Sequence, residues 1–212
     1  MSKGKDWTKE EVREYGEGFS AVVVPINVTI KGKQRILDTT QVENLLRKAR
    51  KIVISNCECR TRVRGCDAPL DVCLFLDAAA EERISEGLGR EVTLSEALAN
   101  LLRTNEAGLV QIAVANGKTP VYICSCCPCC CYSIASMKRF GFNDSLMSSD
   151  MIAIQHDDSC NDCGLCAERC HFDARTMSNG TLLFKPEKCF GCGLCLSSCQ
   201  SNAISMGMRN KK

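Results

Sequence analysis

Cysteine dominates the chemistry available to this chain: 18 of 212 residues. Eight of them fall in two copies of one pattern. The segments 160-CNDCGLCAERCHFDARTM-177 and 189-CFGCGLCLSSCQSNAISM-206 align at an offset of 29 residues with eight of 18 positions identical. Both read C-x2-C-G-L-C-x3-C, followed by an Ala (Ala174, Ala203) and a Met (Met177, Met206). A repeat of this kind is read as one architecture. Three thiolates at i, i+3 and i+6 in a tight loop can each face one corner of an iron–sulfur cube, while the fourth enters a helix and points away. Gly164 and Gly193 stand after the second Cys, where a missing Cβ lets the backbone approach inorganic sulfide. Backbone N–H groups there can hydrogen-bond the sulfides and tune the potential.

These motifs resemble the bacterial two-[4Fe-4S] ferredoxin family across residues 151–212. The resemblance implies two short halves around two cubes and one-electron transfer. Its crossed ligation rule gives Cys160, Cys163, Cys166 and Cys199 to one cluster and Cys189, Cys192, Cys195 and Cys170 to the other. The family's Pro after the fourth Cys is replaced here by His171 and Gln200. Pro binds no iron, so the ligands are unaffected; His171 is either a surface side chain or a hydrogen-bond donor to a cluster. The competing reading is a pair of zinc sites, but zinc usually takes paired C-x2-C knuckles rather than triple-Cys loops.

Ten further cysteines lie earlier. Four follow C-x-C-x6-C-x6-C in 57-CECRTRVRGCDAPLDVC-73: Cys57, Cys59, Cys66 and Cys73. Six crowd into 122-YICSCCPCCC-131: Cys124, Cys126, Cys127, Cys129, Cys130 and Cys131. The expectation is at least one further [4Fe-4S] cluster, with Cys57, Cys59, Cys66 and Cys73 as leading ligands and a subset of Cys124–Cys131 completing or covering the site. Adjacent thiols rarely reach one iron site together, so some must face another site or stay free. Zinc is the alternative, and one or two thiols could simply pack as small hydrophobes. Arg60, Arg62 and Arg64 alternate between Cys59 and Cys66, either as a solvated basic loop or as cations that lower thiolate pKa and raise reduction potential. Asp67, Asp71 and Asp77 read best as an exposed loop face. The segments ISNCECR, CDAPLDVCLFLD and ICSCCPCCC resemble the N-terminal module of an anaerobe family of 4Fe-4S binding proteins, in which a ferredoxin-type tail follows. No catalytic residue is implied by that resemblance.

The elements that must position these thiols are read from periodicity. A Val/Ile-rich strand covers 19–30. Residues 39–54 read as a helix with a Thr40/Glu43 capping box. A second box, Thr93/Glu96, opens a helix over 94–104. Runs 109–115 and 120–125 form a hairpin about Asn116–Thr119. A helix over 131–140 ends at Gly141. Asn179-Gly180 turns a further hairpin between the two copies. The fold class is therefore α+β: a Cys-rich α+β domain over 1–147, in which a helix followed by a hairpin could be winged-helix-like, then a small two-cluster ferredoxin domain over 148–212.

Composition bounds the function. Net charge is +2 and the basic residues are spread, so no nucleic-acid partner is expected. The first residues carry charge throughout and lack a signal-peptide core, and no apolar run is long enough to span a membrane. The expected setting is cytoplasmic, where clustered thiols hold metal rather than disulfides. No nucleotide-binding fingerprint occurs. The leading function is an electron relay between the tail clusters and either the N-terminal site or a redox partner such as ferredoxin or an oxidoreductase subunit. The alternatives are a reductase of a disulfide, sulfur species or small electrophile at the N-terminal site, and an iron–sulfur redox-sensing regulator.

Overall fold

The computed structural model describes residues 4–15, 19–24, 39–116, 119–142 and 146–209. In chain order the elements before the tail are α1 (Lys9–Tyr15), β1 (Phe19–Val24), α2 (Thr39–Lys48), β2 (Ile52–Asn56), α3 (Glu58–Val63), β3 (Asp71–Leu76), α4 (Asp77–Ser85), β4 (Gly89–Glu91), α5 (Leu94–Glu106), β5 (Val110–Asn116), β6 (Thr119–Cys126) and α6 (Tyr132–Phe140). The tail adds β7 (Met151–Gln155), α7 (Leu165–Glu168), β8 (Arg175–Ser178), β9 (Thr181–Phe184), α8 (Leu194–Ser198) and β10 (Ile204–Met208). The mixture is α+β.

The first six strands form one sheet in the order β1-β5-β6-β3-β2-β4, antiparallel throughout. Alternation assigns its two faces. Ile52, Ile54, Leu74, Leu76 and Ile123 pack with Val42 and Leu46 of α2 and Ala97 and Leu101 of α5. Val53, Cys73 and Phe75 pack on the other face with Trp7, Val12 and Val63, and Val110, Ile112 and Cys126 pack there with Ile134. One sheet face is thus ordinary aliphatic core and the other carries thiols.

Several expectations are corrected. The helix expected over 39–54 stops at Lys48, and Ile52–Asn56 is a buried strand. A three-residue apolar run after Lys51 extends a helix pattern as readily as it forms a strand, and pairing with β3 decides it. Helix α2 starts at Thr39, so Thr40 is not its cap. The strand expected over 19–30 is observed to Val24; residues 25–30 lie outside the described ones. The β5–β6 hairpin is no wing. Strands β1 and β3 flank it on either side, so it forms the middle of the sheet. The Thr93/Glu96 box is present in full, and Gly141 ends α6 at φ 72°.

In the tail, β7 pairs with β10 and β8 with β9. Asn179 and Gly180 both take positive φ (49° and 80°), as a tight hairpin turn requires. The tail packs on the thiol-bearing side of the large sheet: Phe172 and Leu194 share one apolar cluster with Val110, Ile112, Cys126, Cys131 and Ile134. Arg169 donates to the Asn105 and Glu106 carbonyls at the end of α5 (2.5 and 3.2 Å), and Lys138 of α6 pairs with Asp173 at 3.1 Å.

Candidate metal centres

The two Cys loops of the tail each run through a short 3-10 turn into a four- or five-residue helix whose N-cap is the Gly after the second Cys. Gly164 and Gly193 adopt φ 81° and 77°, a left-handed conformation that glycine takes without strain. This turn brings the thiols of each loop to one side. Cys160, Cys163, Cys166 and Cys199 wall one small cavity. Cys170, Cys189, Cys192 and Cys195 wall a second. Each loop therefore sends its fourth cysteine to the other loop's cavity, the crossed arrangement that the ferredoxin resemblance implies. Burial raises the Cys166, Cys192 and Cys195 thiols, Cys195 to about 11, so a cation held among them would favour their thiolates.

Arg175 walls both cavities and was not anticipated. It is 2 % exposed. Its Nη1 donates to Gln155 Oε1 at 2.7 Å and lies 3.9 Å from Cys166 Sγ; its guanidinium covers the Phe184 ring. Its Nε and Nη2 have no hydrogen-bond partner among the described residues. A buried guanidinium needs a counter-charge. A dianionic iron–sulfur centre in either cavity supplies one, so the residues present fit such a group. The signal was in the repeat: aligning the copies sets Arg175 against Ile204, a buried core residue.

His171 makes no contact with a cluster cavity. Its Nε2 meets the Gly108 carbonyl at 2.7 Å, tying the tail to the sheet.

The ten N-terminal thiols separate into two sets. Cys57 caps α3 and Cys59 lies in its first turn; Cys73 sits on β3, and Cys124 and Cys126 share one face of β6 by period-two alternation. Cys57 contacts Cys59 and Cys73, Cys73 contacts Cys124, Cys124 contacts Cys126, and Cys126 contacts Cys131 at the start of α6. These six line an open cavity of about 890 Å³, together with Arg60, Arg83, Phe75, Tyr122 and Tyr132, and Cys127 and Cys130 reach its edge. Hydrogen bonding among the thiols splits their acidities. Thiol donors lower Cys57 to about 2 and Cys124 to about 5, while their partners Cys59, Cys73 and Cys126 are pushed up.

The second set is Cys66, Cys127, Cys129 and Cys130, whose sulfurs all lie within 4.8 Å of one another. The proposed ligand set Cys57, Cys59, Cys66 and Cys73 is thus not brought together: the α3 turn and the positive φ of Arg64 swing Cys66 away from the sheet face toward the loop after β6. The crowding of Cys124–Cys131 resolves in the same way. Cys124, Cys126 and Cys131 face the sheet cavity, Cys129 turns to the Cys66 side, and Cys127 and Cys130 meet Cys66 while also edging the cavity.

Of the three arginines, only Arg60 bears on the thiols. It is 1 % exposed, donates to the Pro69 and Ser125 carbonyls (2.6 and 3.0 Å), and reaches Cys127 Sγ at 3.4 Å. A thiol donor, Cys129, is the largest cause lowering Cys127 to about 4, and the Arg60 charge adds to it. Arg62 instead stacks on Trp7 and pairs with Glu11 at 2.7 Å, and Arg64 is exposed. Asp67 is exposed, Asp71 pairs with Arg103 at 3.0 Å, and Asp77 accepts the Arg50 N–H; none approaches the thiols as a ligand. Trp7, also unanticipated, is buried over the second set and donates its indole N–H to the Cys130 carbonyl at 2.8 Å.

Comparison with known proteins bears on the tail. Residues 183–205 match the 4Fe-4S binding domain. That segment holds Cys189, Cys192, Cys195 and Cys199, so the chain carries iron–sulfur binding and the electron transfer that goes with it. No curated protein matches the chain. No helix among the described residues is long and apolar enough to cross a membrane.

Proposed function

We propose that this chain is an electron relay. Residues 148–212 form a ferredoxin-type domain with two [4Fe-4S] clusters, one held by Cys160, Cys163, Cys166 and Cys199 and the other by Cys170, Cys189, Cys192 and Cys195. Residues 1–147 form a Cys-rich domain that exchanges single electrons with the tail. The observation that carries the reading is the pair of four-cysteine cavities with a buried, partly unpartnered arginine between them. When bound, each cluster supplies a one-electron carrier. The protein's own part is to exclude water with Leu182, Leu194, Ile204 and Phe184, and to set the local charge with Arg175.

The order of the path is also supported. Cys192 and Phe190 pack against the same apolar cluster as Cys126 and Cys131, so the second tail cavity adjoins the six-thiol cavity. Cys163 of the first cavity is exposed, a suitable end for an external redox protein. A second reading, reduction of a disulfide or small electrophile at the N-terminal site, is favoured by the size of the six-thiol cavity, which lies within the range of small-molecule pockets.

The test is anaerobic purification of the full chain with iron and sulfide counts and EPR before and after reduction. The tail should account for about eight iron per chain, and Cys163→Ser and Cys192→Ser should each disturb a different one of two reducible signals. A tail that yields no reducible iron–sulfur signal, or that holds only zinc, would sink the reading.

A further inference from the structure

The two kinds of thiol group differ in how far apart their sulfurs stand. In the Cys66 set, Cys66 Sγ is 3.7 Å from Cys127 Sγ and 4.0 Å from Cys130 Sγ, and Cys129 Sγ is 3.9 Å from Cys130 Sγ. Four sulfurs bound at about 2.3 Å to one tetrahedral ion stand about 3.8 Å apart along each edge. A four-iron cube gives each thiolate a different iron, and the cube's own edge pushes the sulfurs to roughly 6 Å. The observed separations are those of the single ion.

The chain supplies its own comparison. Among the described residues, the Cys66 set is the one group of three or more ligating residues drawn within 4.8 Å of each other. The tail quartets, one of which lies largely in the matched 4Fe-4S segment, surround their cavities more widely. Cys57, Cys59, Cys73, Cys124, Cys126 and Cys131 touch in a chain, pair by pair, rather than converging on one point.

We infer that Cys66, Cys127, Cys129 and Cys130 hold one tetrahedral ion of the zinc class, and that Cys57, Cys59, Cys73, Cys124, Cys126 and Cys131 are the N-terminal iron–sulfur ligands.

The surroundings of the quartet suit a closed structural site. Cys127 and Cys130 form a C-x2-C pair in a turn, as structural zinc sites use. Four thiolates on a divalent ion leave a net charge of −2, and Arg60 is buried against Cys127 with no carboxylate paired to it among the described residues. The Gly65 N–H hydrogen-bonds Cys130 Sγ. A Cβ on Gly65 would sit 3.3 Å from that sulfur, so only glycine lets the backbone approach comfortably. Trp7 and Val63 exclude water. Such an ion would staple the end of α3 to the turn between β6 and α6, fixing the strand end that presents Cys124 and Cys126 to the cavity.

The test is metal stoichiometry with X-ray absorption on the full chain, purified anaerobically from medium containing iron and zinc. The expected result is about one zinc per chain with a four-sulfur shell near 2.3 Å. Cys66→Ser/Cys129→Ser should remove that single ion and leave the tail's iron in place. Cys59→Ser/Cys126→Ser should remove iron and leave the zinc. One iron with a mononuclear four-sulfur spectrum in the same place would also support the single-ion geometry. Loss of about four iron from the Cys66/Cys129 variant, or metal content unchanged by it, would overturn the inference. The absorption measurement uses the unmodified chain, so a variant that fails to fold does not protect the idea. Failure of the tail clusters would appear separately, in the reducible signals of Cys163 and Cys192 variants.

Discussion

Replacing Arg175 with Met keeps most of its volume and removes its charge. The consequence can be worked from the structure. Nη1 lies 3.9 Å from Cys166 Sγ, within the wall of both tail cavities. A unit charge about 4 Å from another contributes about 4 kcal/mol at an effective dielectric constant of about 20. The electron added on reduction spreads over a whole cluster, on average about twice as far away, which halves the term to about 2 kcal/mol. For a one-electron couple, about 1.4 kcal/mol corresponds to about 59 mV, so the reduction potential should fall by roughly 85 mV. The cluster bound by Cys166 should shift more than its neighbour, because the guanidinium donates toward Cys166. Potentiometric titration followed by EPR measures both couples, with iron content confirming that both clusters are retained. Arg175→Lys, which keeps the charge, should restore most of the difference. Potentials that stay put in Arg175→Met, or that rise, would refute the argument that this arginine serves as the clusters' buried counter-charge.

Two further substitutions probe the scaffold. Thr93→Ala removes one half of the α5 capping box and should cost about 1 kcal/mol in denaturant unfolding while leaving iron content unchanged; loss of metal would mean that α5 reaches the sites directly. Gly191→Ala places a Cβ 2.1 Å from the Met151 carbonyl at φ 72°, so the Cys189–Cys192 loop must move off β7. It should destabilise the tail by at least the 1–2 kcal/mol typical of a left-handed non-glycine residue and deplete one cluster, read as a loss of about four iron; a fully loaded variant would contradict it.

The tail was legible because its information is local. Cys spacing within each loop, a glycine after the second Cys and an Asn-Gly turn are all fixed within a few residues of one another. The internal repeat tied the two loops together. The sequence showed that the N-terminal thiols are crowded but not how they group. Whether Cys73 meets Cys124 or Cys66 depends on β3 lying beside β6, a pairing between strands almost fifty residues apart. Once that register is set, period-two alternation sends Cys124 and Cys126 to one face and Ser125 to the other, where it bonds Gln111. Arg60, Arg62 and Arg64 looked alike because all three alternate between cysteines. A six-residue helix turns one inward, leaves one against an indole and exposes the third. The helix expected to run through Ile54 failed for a similar reason: Ile-Val-Ile has no period of its own, and only its partner strand reveals what it is.

The exchange of Cys170 and Cys199 between the two tail loops governs how the chain can be assembled. Neither cavity acquires its fourth wall from its own loop. The first waits for Cys199, 33 residues beyond Cys166; the second depends on Cys170, already made when its own loop emerges. Closing such a distant contact is slow compared with forming a helix turn. Under the proposed two-cluster reading, capture of the two groups would therefore be a late and mutually dependent event. A half-made tail offers a three-sided cup instead of a finished site.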